Sequence, residues 1–343
     1  MSKDRVYTIK DIAEYAGVSR STVSRIINNV QTRVAISEAT RAKIHEAIRL
    51  FDYTPNASAH RLSVSRSFVI GLQLPECAAG NYAFSDYNLI GAMRGIEKAL
   101  QSTNYSLQLL FGTGRKKYDS ERLFKSRSID GLLIWGMRED ETFPAALRSY
   151  PVIMLNSLPR DWETCPTIVH DDYSGSRALV QSLLRDGAKS FLYVMGLEQV
   201  SICRERYQGF RDALAEAGVS FVPSKQIICG NFSYGSVADQ AKSLFRNKRK
   251  MKFDAIVCSN DMMATAFYDA ALAAGLTPQK DFLLAGADGV EDCARCNLRT
   301  YRCDRCRMGE MAIHEILRMI EKKDLSVFHT RIPVLDEGKD CSD

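Results

Sequence analysis

No stretch of the 343 residues approaches the roughly 18 consecutive apolar residues that a membrane-spanning helix needs. The opening MSKDRVYT has no apolar core of the secretory type, so neither export nor a bilayer is expected. Histidine is scarce: His45, His60, His170, His314 and His329 form no HExxH and no paired ligand spacing, and no GxSxG elbow occurs. Gly112-Thr113-Gly114 is a lone GxG before three basic residues, without the third glycine or the lysine-hydroxyl pair of a phosphate loop. It reads as a basic surface turn. Asp171-Asp172 is the nearest thing to a catalytic carboxylate pair, and it reads as structural. Repeats and low-complexity tracts are absent, as is a C-terminal leucine heptad that would support a coiled-coil tetramer. These absences leave no catalytic constellation and call for no cofactor. The chain is expected not to be an enzyme.

What is present points to a globular protein. Hydrophobic residues make up 45% and charged residues 25%, the balance of a soluble protein. The length suits one small domain followed by a two-lobed one. The net charge of +5 is unevenly spread. Residues 1–66 hold 11 Lys/Arg and 6 Asp/Glu, whereas the remainder is balanced at 35 of each. All the excess positive charge therefore sits at one end, as a polyanionic partner favours. Ten cysteines without a secretion signal read as cytosolic thiols rather than a disulfide frame.

Thr8 to Asn28, TIKDIAEYAGVSRSTVSRIIN, organises that basic segment. Ile9, Ile12, Ala13 and Ala16 recur at helical spacing and predict one amphipathic helix. Gly17-Val18-Ser19 ends it and offers Ser19 as the cap of a second helix, with Val23, Ile26 and Ile27 inward. Ser21, Ser24, Arg25 and Asn28 share the other face, and Arg20 leads it. A short helix, a glycine turn and a second helix showing hydroxyls, an amide and arginines is the pattern of a helix-turn-helix. Arginine can grip guanine O6 and N7, while Ser, Thr and Asn can bond phosphates or base edges. The same pattern fits a small helical hairpin with a solvated polar face.

The exact residues narrow the choice. DIAEYAGVSRSTVSRIIN resembles the DNA-reading head of the LacI/GalR family of bacterial transcription regulators, almost position by position. By that resemblance Arg20, Ser21 and Arg25 meet base edges, and Thr8, Thr22, Ser24 and Asn28 hold phosphates. The following polar loop, residues 29–36, is about three residues longer than usual in the family; Arg33 is the phosphate contact assigned there. Ser37 then caps a third helix, with Ile44, Ala47, Ile48 and Phe51 inside. Asn56 to Leu62, NASAHRL, is helix-compatible but far below the roughly 12–15 residues that a lone helix needs. The resemblance makes it a hinge helix that folds when two copies meet in the minor groove, with Asn56 at its start and Leu62 wedged between base steps.

From Phe68 strands and helices alternate, which implies parallel sheets wrapped by helices, and enough of them for two sheets. Strands are predicted at 68–74, 105–111, 130–136, 151–155, 167–171, 191–196, 226–229, 254–260, 282–288, 299–303 and 331–335. The resemblance extends over this region to a periplasmic-binding-protein-like core. The fold class is thus an N-terminal all-α helix-turn-helix head joined by a hinge helix to a two-lobed α/β core with parallel sheets. The expected divisions are residues 1–55 for the head, 56–67 for hinge and linker, and 68–343 for the effector-binding and dimerisation core. Its first lobe spans about 68–168 plus 305–330, and its second about 169–303.

Ligands of such folds sit at strand carboxyl ends, between the lobes. Asn156, Asn260 and Asp288 end predicted strands, and Arg206 opens a helix. The resemblance assigns Arg206, Asn260, Asp288 and, more weakly, Asn156 to effector binding. One guanidinium, one carboxylate and amides hydrogen-bond vicinal hydroxyls, so a sugar or glycoside is the favoured effector, with a purine or an amine as alternatives. Tyr82, Phe84 and Trp162 are candidates to stack on a sugar face. The stretch 80–88, GNYAFSDYN, departs from the family pattern and leaves the first-lobe half of the pocket open. Cys293-x-x-Cys296 and Cys303-x-x-Cys306 carry a rival reading, a metal- or thiol-responsive regulator; a second rival is a carbohydrate-processing enzyme. The expected partners are near-palindromic double-stranded operator DNA, a small effector and a second copy of the chain. The expected setting is the cytoplasm, at the bacterial nucleoid.

Overall fold

The computed structural model describes residues 7–27, 36–54, 66–75, 83–111, 119–246 and 253–335. They belong to two compact units, Met1–Phe68 and Val69–Asp343.

In the first unit the apolar stripe becomes α1 (Ile9–Ala16), which buries Ile12, Ala13 and Ala16. Asp11 fastens its start by accepting the N–H and the hydroxyl of Thr8, at 2.8 and 2.7 Å. Gly17 ends it in the left-handed region at φ +67°, and the Val18 N–H donates back to the Ala13 carbonyl at 3.0 Å. Ser19 then caps α2 (Arg20–Ile27) by accepting the Thr22 N–H at 3.2 Å. Ser37 does the same for α3 (Glu38–Leu50) through the Thr40 N–H, also at 3.2 Å. Val23 and Ile26 of α2 meet Ile44 and Ala47 of α3 over α1, and Phe51 and Ile27 cover the edge of that core.

The second unit alternates strand and helix as its periodicity requires. The chain lays down β1 (Val69–Leu74), α4 (Tyr87–Leu100), β2 (Ser106–Phe111), α5 (Ser120–Lys125), β3 (Gly131–Trp135), β4 (Val152–Leu155) and β5 (Thr167–His170). It crosses to a second lobe for α6 (Asp172–Arg185), β6 (Phe191–Met195), α7 (Ser201–Glu216), α8 (Pro223–Gln226), β7 (Ile227–Cys229), α9 (Ala238–Phe245), β8 (Ala255–Cys258), α10 (Asp261–Ala273) and β9 (Leu283–Ala285). It returns with α11 (Arg305–Lys322) and β10 (His329–Ile332). The first sheet runs β10-β5-β4-β3-β1-β2 and the second β7-β6-β8-β9, with every pair parallel. Strands β3, β4, β6 and β8 are buried along their whole length, as strands covered on both faces must be.

Two strand expectations are corrected. Residues 299–303 form no strand: Arg299 and Arg302 make only isolated bridges, to Ala285 and Asp288. The neighbouring backbone leaves the extended region, with Asp288 at φ +104°, so a continuous ladder cannot grow there. The final strand lies at His329–Ile332 because it pairs with β5 from Thr167 onward; Leu335 instead bonds Arg302, in the other lobe.

Helices α4 and α11 meet backbone to backbone at Gly95 and Gly309. A Cβ on Gly95 would fall on the Cys306 carbonyl, and one on Gly309 on the Ala92 carbonyl. Glycine costs a helix interior about 1 kcal/mol relative to alanine, so these positions would favour alanine if space allowed. It does not. Gly309→Ala is expected to lower unfolding stability by roughly 1–3 kcal/mol net, since backbone rather than a flexible side chain must move. Gly235→Ala, with nothing within 4 Å of its added carbon, is the control and should stay within about 0.5 kcal/mol. Urea midpoints of the two variants check both.

Candidate functional site

The outward face of α2 is the first candidate site. Arg20, Ser21 and Arg25 are exposed there, Thr22 and Ser24 half-buried, and Thr8 exposed at the head of α1. The hydroxyls of Ser21 and Thr22 hydrogen-bond the Ser19 hydroxyl at 2.7 and 2.9 Å, so the capping residue also orders the leading edge of this face. The helix therefore presents two guanidinium groups and a hydroxyl from residues that its own core does not use. Asn28, Arg33, Asn56, Leu62 and the expected hinge helix lie outside the described residues.

The second site is built around Arg206, on α7 in the second lobe. Its side chain is only 4% exposed. Nε donates to Asp172 Oδ1 at 2.7 Å, Nη1 to the Ser259 carbonyl at the end of β8, and Nη2 to Asp288 Oδ1 at 2.6 Å. Tyr301 donates its hydroxyl to the same Asp172 oxygen at 2.9 Å, and its ring lies 5.7 Å from the guanidinium carbon. Burial works against the Arg206 charge, but Asp172 and then Asp288 outweigh it and hold its pKa well above the ordinary value. Asp288 keeps Oδ2 out of any hydrogen bond among the described residues, and its φ of +104° turns the chain at this point.

The structure thus joins Arg206 to Asp288 and adds Asp172, which sequence reasoning set aside as structural. Asp171 is the structural one: it caps α6 by accepting the Ser174 N–H at 3.2 Å. Asn260 is occupied as a cap as well. Its Oδ1 accepts the Met263 N–H at 3.0 Å and its Nδ2 donates to the Phe232 carbonyl at 2.8 Å. Asn156 is half-buried at the end of β4, in the left-handed region at φ +70°.

Two further carboxyls lie nearby: Asp261 follows a predicted strand and reads from the sequence as an ordinary cap, whereas Asp86 had no signal in the sequence. Asp261 is buried, accepting the Val290 N–H and the Thr300 hydroxyl, each at 2.8 Å. Burial first, and the Asp288 charge second, push its pKa up to about 7. Asp86, at the start of α4 in the first lobe, accepts the Trp135 indole N–H at 3.0 Å and the Asn88 N–H at 2.9 Å. Burial raises its pKa too, and the charge of Asp288 reaches it from the other lobe. Beside it, a cavity of about 690 Å³ opens at the carboxyl ends of β1 and β3, walled in part by Pro75, Trp135 and Arg138.

Trp162 meets His329 edge-on at 4.7 Å and Phe84 meets Phe111 at 6.0 Å, while Tyr82 lies outside the described residues. The four CxxC thiols do not converge. Cys293 and Cys296 both contact the Thr265 hydroxyl, at 3.3 and 3.8 Å, whereas Cys306 faces Glu310 at 3.5 Å. Cys303 is buried near Asp172 and Asp288, and burial pushes its thiol well up. Among the described residues no group of three or more His, Cys, Asp or Glu could hold a metal ion, and no helix is long and apolar enough to cross a membrane.

A basic recognition helix and a two-lobed parallel core with a charged cluster at the lobe junction define a class: DNA-binding regulators that carry a ligand-binding domain. Residues 8–56 match the family model for bacterial regulatory proteins of the lacI family. Residues 89–291 match that for periplasmic binding proteins and the sugar binding domain of the LacI family. Similar proteins include the HTH-type transcriptional repressor PurR of Aliivibrio fischeri (strain MJ11), 28% identical, with 92% of this chain and 93% of the relative covered. The ribose operon repressor of Escherichia coli (strain K12) is also 28% identical, with 96% and 98% covered. Among solved structures, the lac repressor dimer bound to operator and the anti-inducer ONPF shares the fold at a TM-score of 0.81 and 21% identity, with 96% and 97% covered. The complex of the transcriptional regulator CelR with cellobiose gives 0.69 at 23% identity, with the same coverage. The chain belongs to the LacI family: it is a DNA-binding transcriptional repressor with a ligand-binding domain, not an enzyme.

Asp261 makes stability fall with pH. A carboxyl whose native pKa of about 7 exceeds its unfolded value holds a proton that the unfolded chain has already lost. Stability contributed by that proton is full below about pH 4 and is lost as pH rises through 7. Asp261→Asn mimics the protonated form, donating to Thr300 and still accepting from Val290. Thermal midpoints recorded from pH 5 to 8 should decline more steeply for the wild type than for the variant. Parallel curves would show that Asp261 is ionised throughout.

Proposed function

We propose that the chain is a homodimeric repressor whose affinity for a near-palindromic operator is set by a sugar-class effector bound between the core lobes. The observation that carries this reading is the buried Arg206–Asp172–Asp288 cluster, a rigid polar group at strand carboxyl ends where the chain passes between lobes. Residues 1–55 serve as the head, 56–67 as hinge and linker, and 68–343 as the effector and dimer core. Arg20, Ser21 and Arg25 read base edges, while Thr8, Thr22, Ser24, Asn28, Arg33 and Asn56 hold the phosphate backbone. Leu62 wedges into the minor groove, where unstacking is offset by the contacts that bent DNA permits.

In the core, Arg206 fixes the Asp288 carboxylate so that Oδ2 accepts effector hydroxyls. Asn156 and Asn260 complete the polar set from the two lobes, Asn260 through the part of its amide that its capping duties leave over. The relatives named for a ribose operon and solved with cellobiose support a sugar. Effector binding shifts the lobes and alters the spacing of the two hinges. Operator and effector then act on one equilibrium, so each must change the affinity of the other by the same factor. The protein works in the cytoplasm, on nucleoid DNA.

Three substitutions test the reading on a duplex selected from a random pool. Arg25→Ala should cost about 1–3 kcal/mol of discrimination at one base pair per half-site. Leu62→Ala should weaken the selected duplex far more than bulk DNA, and equal loss on both would remove the wedge. Asp288→Asn should abolish the effector response while unliganded operator binding persists; an unchanged response would remove the interlobe site. Fluorescence anisotropy at one fixed salt concentration reads all three.

A further inference from the structure

Arg305 opens α11 where the chain passes from the second lobe back into the first. Its Nε donates to Asn88 Oδ1, on α4, at 2.5 Å, and its Nη2 donates to the main-chain carbonyl of Asp288. One guanidinium thus holds both lobes. Its stem lies over Gly91, where an added Cβ would meet Arg305 Cβ and Cδ at 2.6 and 2.7 Å. Packing therefore sets the direction of the group.

The charge balance around it is incomplete. Both of its partners are neutral oxygens, and among the described residues no carboxylate lies within ion-pair distance. Neighbouring carboxyls are committed elsewhere. Asp288 Oδ1 serves Arg206 at 2.6 Å, Asp86 serves Trp135 and the Asn88 N–H, and Asp304 caps α11 through the Arg307 N–H at 2.9 Å. Burial lowers the pKa of His170, the Arg305 charge adds to that, and its Nε2 has no hydrogen-bond partner among the described residues. A half-buried guanidinium bonded only to neutral oxygens still favours an anion, and its planar fork fits two oxygens of a carboxylate or phosphate.

We propose that Arg305 binds an anionic group of the effector, a carboxylate or a phosphate monoester, so that the ligand is a sugar acid or a sugar phosphate rather than a neutral sugar. This rests on the interlobe reading above. The anion takes the place of the Asp288 carbonyl and the Asn88 amide as acceptor. Because those two contacts tie the lobes together, binding replaces a direct latch by one made through the ligand.

The test is a thermal-shift panel on the full-length protein, followed by calorimetric titration of every binder. The panel is D-glucose, D-gluconate, D-glucose 6-phosphate and D-glucosamine, with D-ribose, D-ribonate and D-ribose 5-phosphate. The expected result is binding by at least one acid or phosphate and not by its neutral parent, the two arms separating carboxylate from phosphate. Arg305→Gln should weaken that binder by roughly tenfold or more, and Arg305→Lys should recover part of the loss. Binding confined to neutral or cationic sugars, an anionic binder indifferent to Arg305→Gln, or no binder at all would overturn the proposal. The wild-type panel decides the charge class by itself if Arg305→Gln does not fold. A neutral binder lost in Asp288→Asn would leave the interlobe site standing and remove only the anion. A binder of any charge that ignores Asp288→Asn would remove the interlobe site itself.

Discussion

The core is organised by one buried cation shared between two carboxylates. Stripping charges of water costs several kcal/mol per ion, and the attraction between them repays this only when the geometry is good and the remaining donors are satisfied. Arg206 meets that condition with hydrogen bonds to Asp172, Asp288 and the Ser259 carbonyl. The partners come from the start of α6, the end of β8 and the turn after β9, so one guanidinium fastens three elements of the second lobe. Removing it would leave two carboxylates buried without a counter-ion, a loss of about 3–5 kcal/mol. The same contact holds Asp288 at a φ that costs a non-glycine residue on the order of 1–3 kcal/mol.

Two carboxylates on one cation leave a net negative charge, which acts on the buried carboxyls nearby. Burial, and after it the Asp288 charge, push the Asp261 pKa up to about 7, and burial raises that of Asp86 as well. The guanidinium of Arg305 rests on the Asp288 carbonyl rather than on its carboxylate. The head uses the opposite arrangement. Its basic groups are exposed, they have no carboxylate to neutralise them on α2, and its seven-residue core cluster is entirely apolar. Charge is buried and balanced where a ligand is to be recognised, and displayed where a polyanion is to be met.

Elements with strong local signals were legible in the sequence. Helical periodicity placed α1, and the Gly17-Val18-Ser19 turn placed its end and the next cap, because both are set within a few residues. Alternating strands and helices gave two parallel sheets. Arg206 and Asp288 were found through resemblance to a family. Asp172 was missed because Asp171 and Asp172 share one local signature, that of a helix start, and only a contact 34 residues away separates them. Asn260 carries that signature too, and here its Oδ1 makes the cap while its Nδ2 bonds the Phe232 carbonyl. Residues 299–303 alternate like a strand but lack a ladder, since the neighbouring chain turns at Asp288. Cysteine spacing likewise states nothing about direction, and the two CxxC pairs face different walls.

Rigidity and compliance are distributed unequally in the core, and that is what makes control by a small ligand possible. Within each lobe, helices meet backbone to backbone: α4 on α11 at Gly95 and Gly309, and α6 on α7 at Gly209 against the Tyr173 carbonyl. Such contacts cannot slide without separating. Between the lobes several of the contacts are polar. The Glu139 N–H donates to the Gln199 carbonyl at 2.9 Å, the Leu158 N–H to the Ser201 hydroxyl at 2.8 Å, and Arg204 and Arg331 reach Glu139 and Glu205 at 2.7 Å each. Surface ion pairs such as the last two contribute about 0–1 kcal/mol each. Exchanging these two together with the hydrogen bonds beside them lies on the scale of allosteric coupling, roughly 1–3 kcal/mol. A ligand with a modest preference for one lobe arrangement can therefore move the junction, whereas it could not repack either lobe.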